Sequence, residues 1–242
     1  MTGRKIIRKA KLLIEAVKMR FSMVSIKRLA KSLRYHFTYK AKAKKDKIIW
    51  IDVQAIQKAL ANEKLRQYAF TGIMDGDWDL ETRDAISQKV IGIEQHYIEG
   101  TPWRETALFK YYEKRFQNEL LILRCKDLDE LEDKYNTTIN ALYENIKTGG
   151  YRLPTPENPD IGIIYVYIGR EGEILFSGNG NHRLAIARIL GIDRIPVTVK
   201  ARHKQWQNIR EAVHLGYNKG QADLLEKYRH LLDHPDLTDI IS

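Results

Sequence analysis

Apolar residues recur along much of this chain at steps of three and four. Ile6, Ala10, Leu13, Val17, Phe21 and Val24 form the first such stripe, with Lys and Arg threaded between them and no proline before Pro102. The pattern predicts one or two amphipathic helices up to about Leu33. Residues 40–47, KAKAKKDK, read as a solvated linker. The period then changes. Lys47–Val53 (KIIWIDV) is rich in β-branched and aromatic residues and predicts a strand, followed by a short helical turn at Ala55–Leu60.

Residues 82–99 return to a helical pattern that closes at Gly100. Thr101-Pro102-Trp103-Arg104-Glu105 predicts the next helix start, with Thr101 as N-cap and Pro102 in the first turn; that helix runs through Phe109, Tyr112 and Phe116. Trp103 and the tyrosines around it read as core. From Asp127 to Lys147 a stripe of Leu128, Leu131, Tyr135, Ile139, Leu142 and Ile146 predicts another helix, stopped by Gly149-Gly150. Leu153–Pro159 holds three prolines and reads as a stiff loop. Ile163–Ile168 and Glu173–Phe176 predict two strands of a hairpin turned at Gly169–Gly172. A short helix from about Asn181 to Gly191 and a strand at Ile195–Val199 follow. A helix starting within Arg202–Arg210 and another over Gln221–Leu232 complete the chain.

This succession predicts an α+β (α/β) fold with a small mixed sheet. It divides the chain into a helical arm and linker (1–47), a domain with a helical insertion at about 82–147 (48–200), and C-terminal helices (201–242).

Charge sharpens that division. Residues 1–47 carry 16 Lys and Arg against only Glu15 and Asp46, a net of +14, while the remainder is net −4. The formal charge of +10 therefore belongs to the arm, with Arg4, Lys5, Arg8, Lys9, Lys11, Lys44 and Lys45 as candidate contacts. Three roles are open for it: packing on the domain or a second copy, holding nucleic-acid phosphates, or lying on an anionic membrane surface. The lone cysteine, Cys125, excludes an internal disulfide and a cysteine-based zinc cluster. No apolar run approaches the roughly 18 residues of a spanning helix, and basic residues interrupt the start where a signal peptide has an apolar centre. The expectation is a soluble cytoplasmic protein.

The densest chemistry lies after Phe176, in Ser177-Gly178-Asn179-Gly180-Asn181-His182-Arg183. Two glycines permit positive φ and close backbone approach. A helix starting at Asn181 or His182 leaves backbone N–H groups unpaired at its positive end, and Arg183 adds a planar donor for phosphate oxygens. His182 can donate to the same anion or transfer a proton near neutral pH. The alternative is that Asn, His and Arg simply satisfy a tight turn.

A second cluster, Asp75, Asp77, Asp79 and Glu81 around Trp78, begins like a calcium loop. It then departs from one, with Leu80 at the sharp-turn position and Ile86 at the closing position. Asp77 and Asp79 remain candidates for holding Mg²⁺ beside a nucleotide; Asp79 or Thr82 as the cap of the next helix is the alternative. His203 and Trp206 follow the strand beside the glycine turn and are candidates to line its pocket. His230, His234 and Asp236 have a metal-like composition, but Pro235 breaks the geometry.

The order of elements resembles the ParB/sulfiredoxin-like superfamily over roughly Leu128 to Lys200, with the Trp50 strand as an earlier element. That order is a helix ending in Gly-Gly, paired strands, Gly180-Asn181-His182-Arg183, a short helix, and Gly191-Ile192 leading to Ile195-Pro196-Val197. The resemblance implies a nucleotide (ATP, ADP or CTP) with its phosphates on Gly180, Asn181, His182 and Arg183; Ser177, Gly178 and Asn179 are the further candidates in the turn, and Mg²⁺ is the companion that the acidic loop suggests. The catalytic acid of the superfamily's kinases lies outside the motif and the resemblance does not place it here; the Asp75, Asp77 and Asp79 group is the candidate on residue type, with His182 in the turn.

Departures narrow the branch. Sulfiredoxins carry Gly-Cys-His-Arg, and Asn181 replaces that nucleophilic cysteine, which disfavours sulfinic-acid reduction. Partition proteins carry Gly-Glu-Arg-Arg-x-Arg-Ala, from which Asn181, His182 and Ala185 all depart. Free-serine kinases carry Asp-Gly-His-His-Arg, similar in style to Asn179–Arg183. Three functions follow as expectations: a nucleotide-dependent phosphotransferase on a small molecule, a DNA-associated ParB-like regulator or nuclease, or a non-catalytic module attached through the arm.

Overall fold

The computed structural model describes residues 38–44, 46–61, 72–153 and 163–241. The arm's Arg4, Lys5, Arg8, Lys9 and Lys11, its predicted helices and Lys45 lie outside the described residues. So does most of the proline-rich loop.

Among the described residues, seven strands form one mixed sheet: β1 (Ile48–Asp52), β2 (Lys58–Leu60), β3 (Ile73–Met74), β4 (Thr82–Asp84), β5 (Ile164–Ile168), β6 (Ile174–Phe176) and β7 (Arg194–His203). Their order is β1-β7-β5-β6-β2-β4, and β3 joins β7 at Arg202 and His203. The strand β7 runs antiparallel to β1 and parallel to β5; β5 and β6 form the expected hairpin, and β2 lies parallel to β6. Alternation sets the faces. Ile49 and Ile51 are buried while Ile48 and Trp50 stay exposed.

The helices are α1 (Gln88–Tyr97), α2 (Ala107–Phe116), α3 (Leu128–Lys134), α4 (Asn140–Gly149), α5 (Asn181–Ile189), α6 (Lys204–Lys219), α7 (Ala222–Lys227) and α8 (Thr238–Ile241). One π-helical turn, Tyr135–Ile139, joins α3 to α4. It has a sequence cause. Leu131, Tyr135, Ile139 and Tyr143 are buried at four-residue steps. Such a step drifts round an α-helix, and one wider turn absorbs the drift.

Helix α5 is apolar on two sides. Leu184 and Ala187 enter the core beneath the sheet with Val166, Phe176 and Val197, whereas Ala185 and Ile186 pack into the helical cluster around Trp103, Tyr112 and Tyr135. Burial of each large aliphatic residue is worth roughly 1.5–3 kcal/mol, so α5 is fixed from both layers. Gly92 brings α1 and α2 together, because a Cβ there would collide with Leu108.

Several local expectations are corrected. Ala55–Leu60 is not a helical turn: a 3₁₀ turn at Val53–Ala55 leads into β2. Thr82–Asp84 is a polar edge strand, and the following helix begins only at Gln88. Thr106, rather than Thr101, caps α2, accepting from Phe109 N at 3.3 Å. The strand expected to end at Val199 runs on to His203, and α6 starts at Lys204, within the expected span.

The segment read as a solvated linker is docked on α6. Tyr39 and Ala41 are buried, Glu211 accepts from Lys40 N and Ala41 N at 2.9 and 2.8 Å, and Gln207 Nε2 donates to Ala41 O at 2.9 Å. Lys44 is exposed. The C-terminal helices share the main core through Trp206, Val213 and Leu237.

Candidate functional site

The hairpin pairing continues one step beyond β6. Ser177 N donates to Tyr165 O at 3.0 Å, and Tyr165 N donates to Asn179 O at 3.4 Å. The chain then turns through Gly178 at φ +85° and Gly180 at φ +88°. Gly180 is required twice over: its φ suits glycine, and an added Cβ would lie 3.0 Å from Ile164 Cα. Ser177 Oγ accepts from Asn179 N at 3.3 Å and braces the turn. Asn181 Nδ2 donates back to Gly178 O at 2.6 Å and closes it. That bond is the physical work of the asparagine in the turn.

Helix α5 starts at Asn181 with no side-chain cap, so its first N–H groups and the positive end of its dipole face the turn. Arg183, in the first turn, lies close enough to the hydroxyl of the partly buried Tyr151 to act on it electrostatically.

His182 has a different character from the one expected. Its Nε2 is 2.8 Å from the hydroxyl of Tyr135, which is 3.1 Å from the hydroxyl of Tyr112. Both tyrosines are fully buried. Burial, with the positive charges of Lys89, Arg183 and Lys134, pushes the imidazole pKa down to about 3. His182 is therefore neutral across the physiological range, which corrects its role as a proton carrier near neutral pH. The neutral ring carries one proton: when it is on Nδ1, Nε2 accepts from the Tyr135 hydroxyl and Nδ1–H is a donor. The sequence marked Tyr135 only as one member of an apolar stripe, so its link to His182 had no local signal.

The acidic loop is built into another place. Asp79 Oδ2 accepts from Arg170 N and Nε at 2.8 and 2.9 Å, and Asp79 Oδ1 and Asp77 Oδ1 accept from Arg170 Nη2 at 2.7 and 2.8 Å. Burial alone would raise the Asp79 pKa, but the bonds from Arg170 outweigh it and hold the carboxyl below its usual range. Arg170 sits in the β5–β6 turn, whereas Gly180 touches Ile164 at the far end of β5. Five strand residues, about 13–17 Å, separate the two places. Asp77 and Asp79 thus neither cap α1 nor stand beside the glycine turn. Among the described residues no group of three or more His, Cys, Asp or Glu side chains is placed to hold a metal ion.

His203 belongs to the same far end. Its Nε2 meets Gly76 O at 2.8 Å, its Nδ1 accepts from Gln205 N at 3.1 Å, and Asp79 lies 4.0 Å away. Both ring nitrogens are engaged within the protein. Trp206 is fully buried and donates to Asp236 Oδ2 at 2.9 Å. Neither residue lines the glycine turn, which corrects their expected place.

Asp236, earlier grouped with His230 and His234, is the centre of a buried ionic cluster. It accepts from Arg202 Nε and Nη2 at 2.8 and 2.5 Å, and Arg210 Nη1 lies 3.2 Å from its Oδ2. Lys47 and Arg210 also reach Asp239 at 2.8 and 2.9 Å.

Comparison with family models, curated proteins and solved structures gives no match for the chain. Among the described residues no helix is long and apolar enough to cross a membrane.

Proposed function

We infer that the protein binds a nucleotide through its phosphates at the turn from Ser177 to Arg183, in the manner of ParB/sulfiredoxin-like domains. The observation that carries this reading is the glycine turn itself. Two positive-φ glycines deliver the uncapped N-terminus of α5, and Arg183 and a neutral His182 stand in its first turn. Helix N–H groups, a guanidinium and an imidazole N–H are all donors, which suits a polyanion that brings only acceptors. Ser177 and Asn181 shape the loop rather than compete for the ligand.

In the phosphotransferase version of this reading, Asp77 and Asp79 no longer serve as the acids that assist transfer. Any Mg²⁺ would be held by the nucleotide's own phosphates and water.

The test is calorimetric titration with ATP, ADP and CTP, each with and without Mg²⁺. Binding of at least one is expected. Arg183→Ala should weaken it roughly 10- to 100-fold, the loss of charge-assisted hydrogen bonds, while Asp77→Asn should leave both affinity and Mg²⁺ dependence unchanged. Absence of binding to all three nucleotides would sink the reading.

The charge split favours a second reading for the arm, an electrostatic contact with nucleic-acid phosphates. Residues 38–44 are docked on the domain, so the informative deletion is 2–37. Duplex DNA affinity should then fall, and the intact chain's affinity should drop steeply with salt. Equal DNA affinity with and without residues 2–37 would count against it.

A further inference from the structure

The segment that leads into β1 has two sides. Tyr39 and Ala41 are buried and Ala43 is half-buried, while Lys40, Lys42 and Lys44 between them are exposed. Its main chain is pinned to α6. Glu211 accepts from Lys40 N at 2.9 Å and from Ala41 N at 2.8 Å, and Gln207 Nε2 and Arg210 Nε donate to Ala41 O at 2.9 and 3.3 Å. Lys47 N then closes a turn on Lys44 O, and the Lys47 side chain reaches Asp239 at 2.8 Å. The three exposed lysines are thus carried on a fixed main chain.

The acids nearby are turned elsewhere. Glu211 directs its carboxylate to main-chain N–H groups, Asp46 pairs with Lys200 at 2.7 Å, and Asp75 pairs with Lys204 at 2.7 Å. Residues 38–44 hold three Lys and no acidic residue. Among the described residues neither Lys40 nor Lys44 forms an ion pair. Two residues of chain span at most about 7 Å, so the three ammonium groups stand in a short row. Such a row suits the phosphates of a nucleic-acid strand, where charge alone gives affinity. A lipid surface calls for apolar side chains beside the lysines, and here Tyr39 and Ala41 are buried.

We propose that Lys40, Lys42 and Lys44 form a row that holds the sugar-phosphate backbone of nucleic acid without regard to base sequence. The row gives a fixed end to the contact proposed above for residues 2–37, and it rests on that reading for its partner. The fold adds what the charge count lacked. Lys40 and Lys42 join Lys44 as contacts, whereas Lys47 is withdrawn into ion pairs with Asp236 and Asp239.

The test titrates the full chain into fluorescent duplex DNA of arbitrary sequence at salt from about 50 to 200 mM. Lys40→Gln, Lys42→Gln and Lys44→Gln together should weaken binding at least about tenfold. They should also flatten the slope of log affinity against log salt by about 0.9 for each lysine removed. The control makes Lys110→Gln, Lys114→Gln and Lys147→Gln, at exposed positions on α2 and α4. It removes the same charge and should leave the slope unchanged. Both sets change exposed side chains only, so the fold is kept. With residues 2–37 deleted, the first set should still lower the slope; equal DNA affinity with and without residues 2–37 would remove only the arm's contact. The proposal is overturned by an unchanged slope in the first set, by an equal loss in the control, or by a full chain that binds phosphatidylserine vesicles but no DNA.

Discussion

The hydroxyl of Tyr135 lies 2.8 Å from Nε2 of His182, with the two rings edge-on at 5.4 Å and 76°. One partner comes from the π-helical turn of the helical layer and the other from the start of α5. The helical layer therefore holds a side chain of the glycine turn, so that a buried phenol in one layer touches a candidate anion site in another. Tyr135→Phe should keep the fold, because only an oxygen is removed, but it leaves Tyr112 and His182 each without a partner. The expected destabilisation is about 1–3 kcal/mol. Nitrogen NMR of the imidazole should show the Nδ1–H tautomer in the parent protein and a mixture in the variant. An unchanged tautomer ratio would refute the positioning role.

Neutrality of His182 has its own test. Its pKa is pushed down to about 3, against an ordinary 6.5, so between these values the unfolded chain binds a proton that the native state does not. This site's contribution to stability is complete above about pH 6.5 and is lost as pH falls toward 3. Imidazole shifts of His182 should stay flat from pH 8 to 5 while exposed histidines titrate. A midpoint above pH 6 would show that the ring is free to carry protons.

Gly180 links the turn's shape to its proposed ligand. At φ +88°, with Ile164 Cα 3.0 Å from where a Cβ would lie, Gly180→Ala meets both strain and a backbone contact. Destabilisation of about 1–3 kcal/mol is expected, as for other left-handed positions. Nucleotide affinity should fall more than in a surface variant of equal stability. Full nucleotide affinity in Gly180→Ala would place the phosphates elsewhere.

The elements that sequence made legible are those with local causes. Helix α3 with its continuation to Gly149 follows a stripe over five turns, the β5–β6 hairpin has a glycine-bounded turn, and α5 lies between Gly180 and Gly191. Strands β2 and β4 have three residues each. That is too short for alternation to register, and their partners lie far along the chain, as when Lys58 pairs Leu175. The same reason hid the true role of the acidic loop. Arg170 and Asp79 are 91 residues apart, and nothing near either residue announces the pairing. Asp79 has the residue type of a cap or metal ligand, and only the fold decides that it binds an arginine.

The buried cluster around Asp236 makes the sharpest stability prediction. Its side chain is fully enclosed, with Arg202, Trp206 and Arg210 as partners, and Arg210 also donates to its backbone carbonyl. Asp236→Asn would leave two buried guanidinium groups facing a neutral amide. Breaking such a cluster on one side costs about 3–5 kcal/mol, read as a lower urea midpoint at pH 7. Burial alone would raise the carboxyl's pKa, but the hydrogen bonds and charges of Arg202 and Arg210 outweigh it and hold it well below the usual range. The native state then binds fewer protons than the unfolded chain, which takes up its proton near pH 3.9. The stabilisation is therefore full above that pH and is lost as pH falls through the lower folded value. The gap in stability between parent and Asp236→Asn should accordingly narrow below about pH 4. A gap that stays constant from pH 6 to 3 would mean that shape, rather than the charge of Asp236, holds α6 and α8 together.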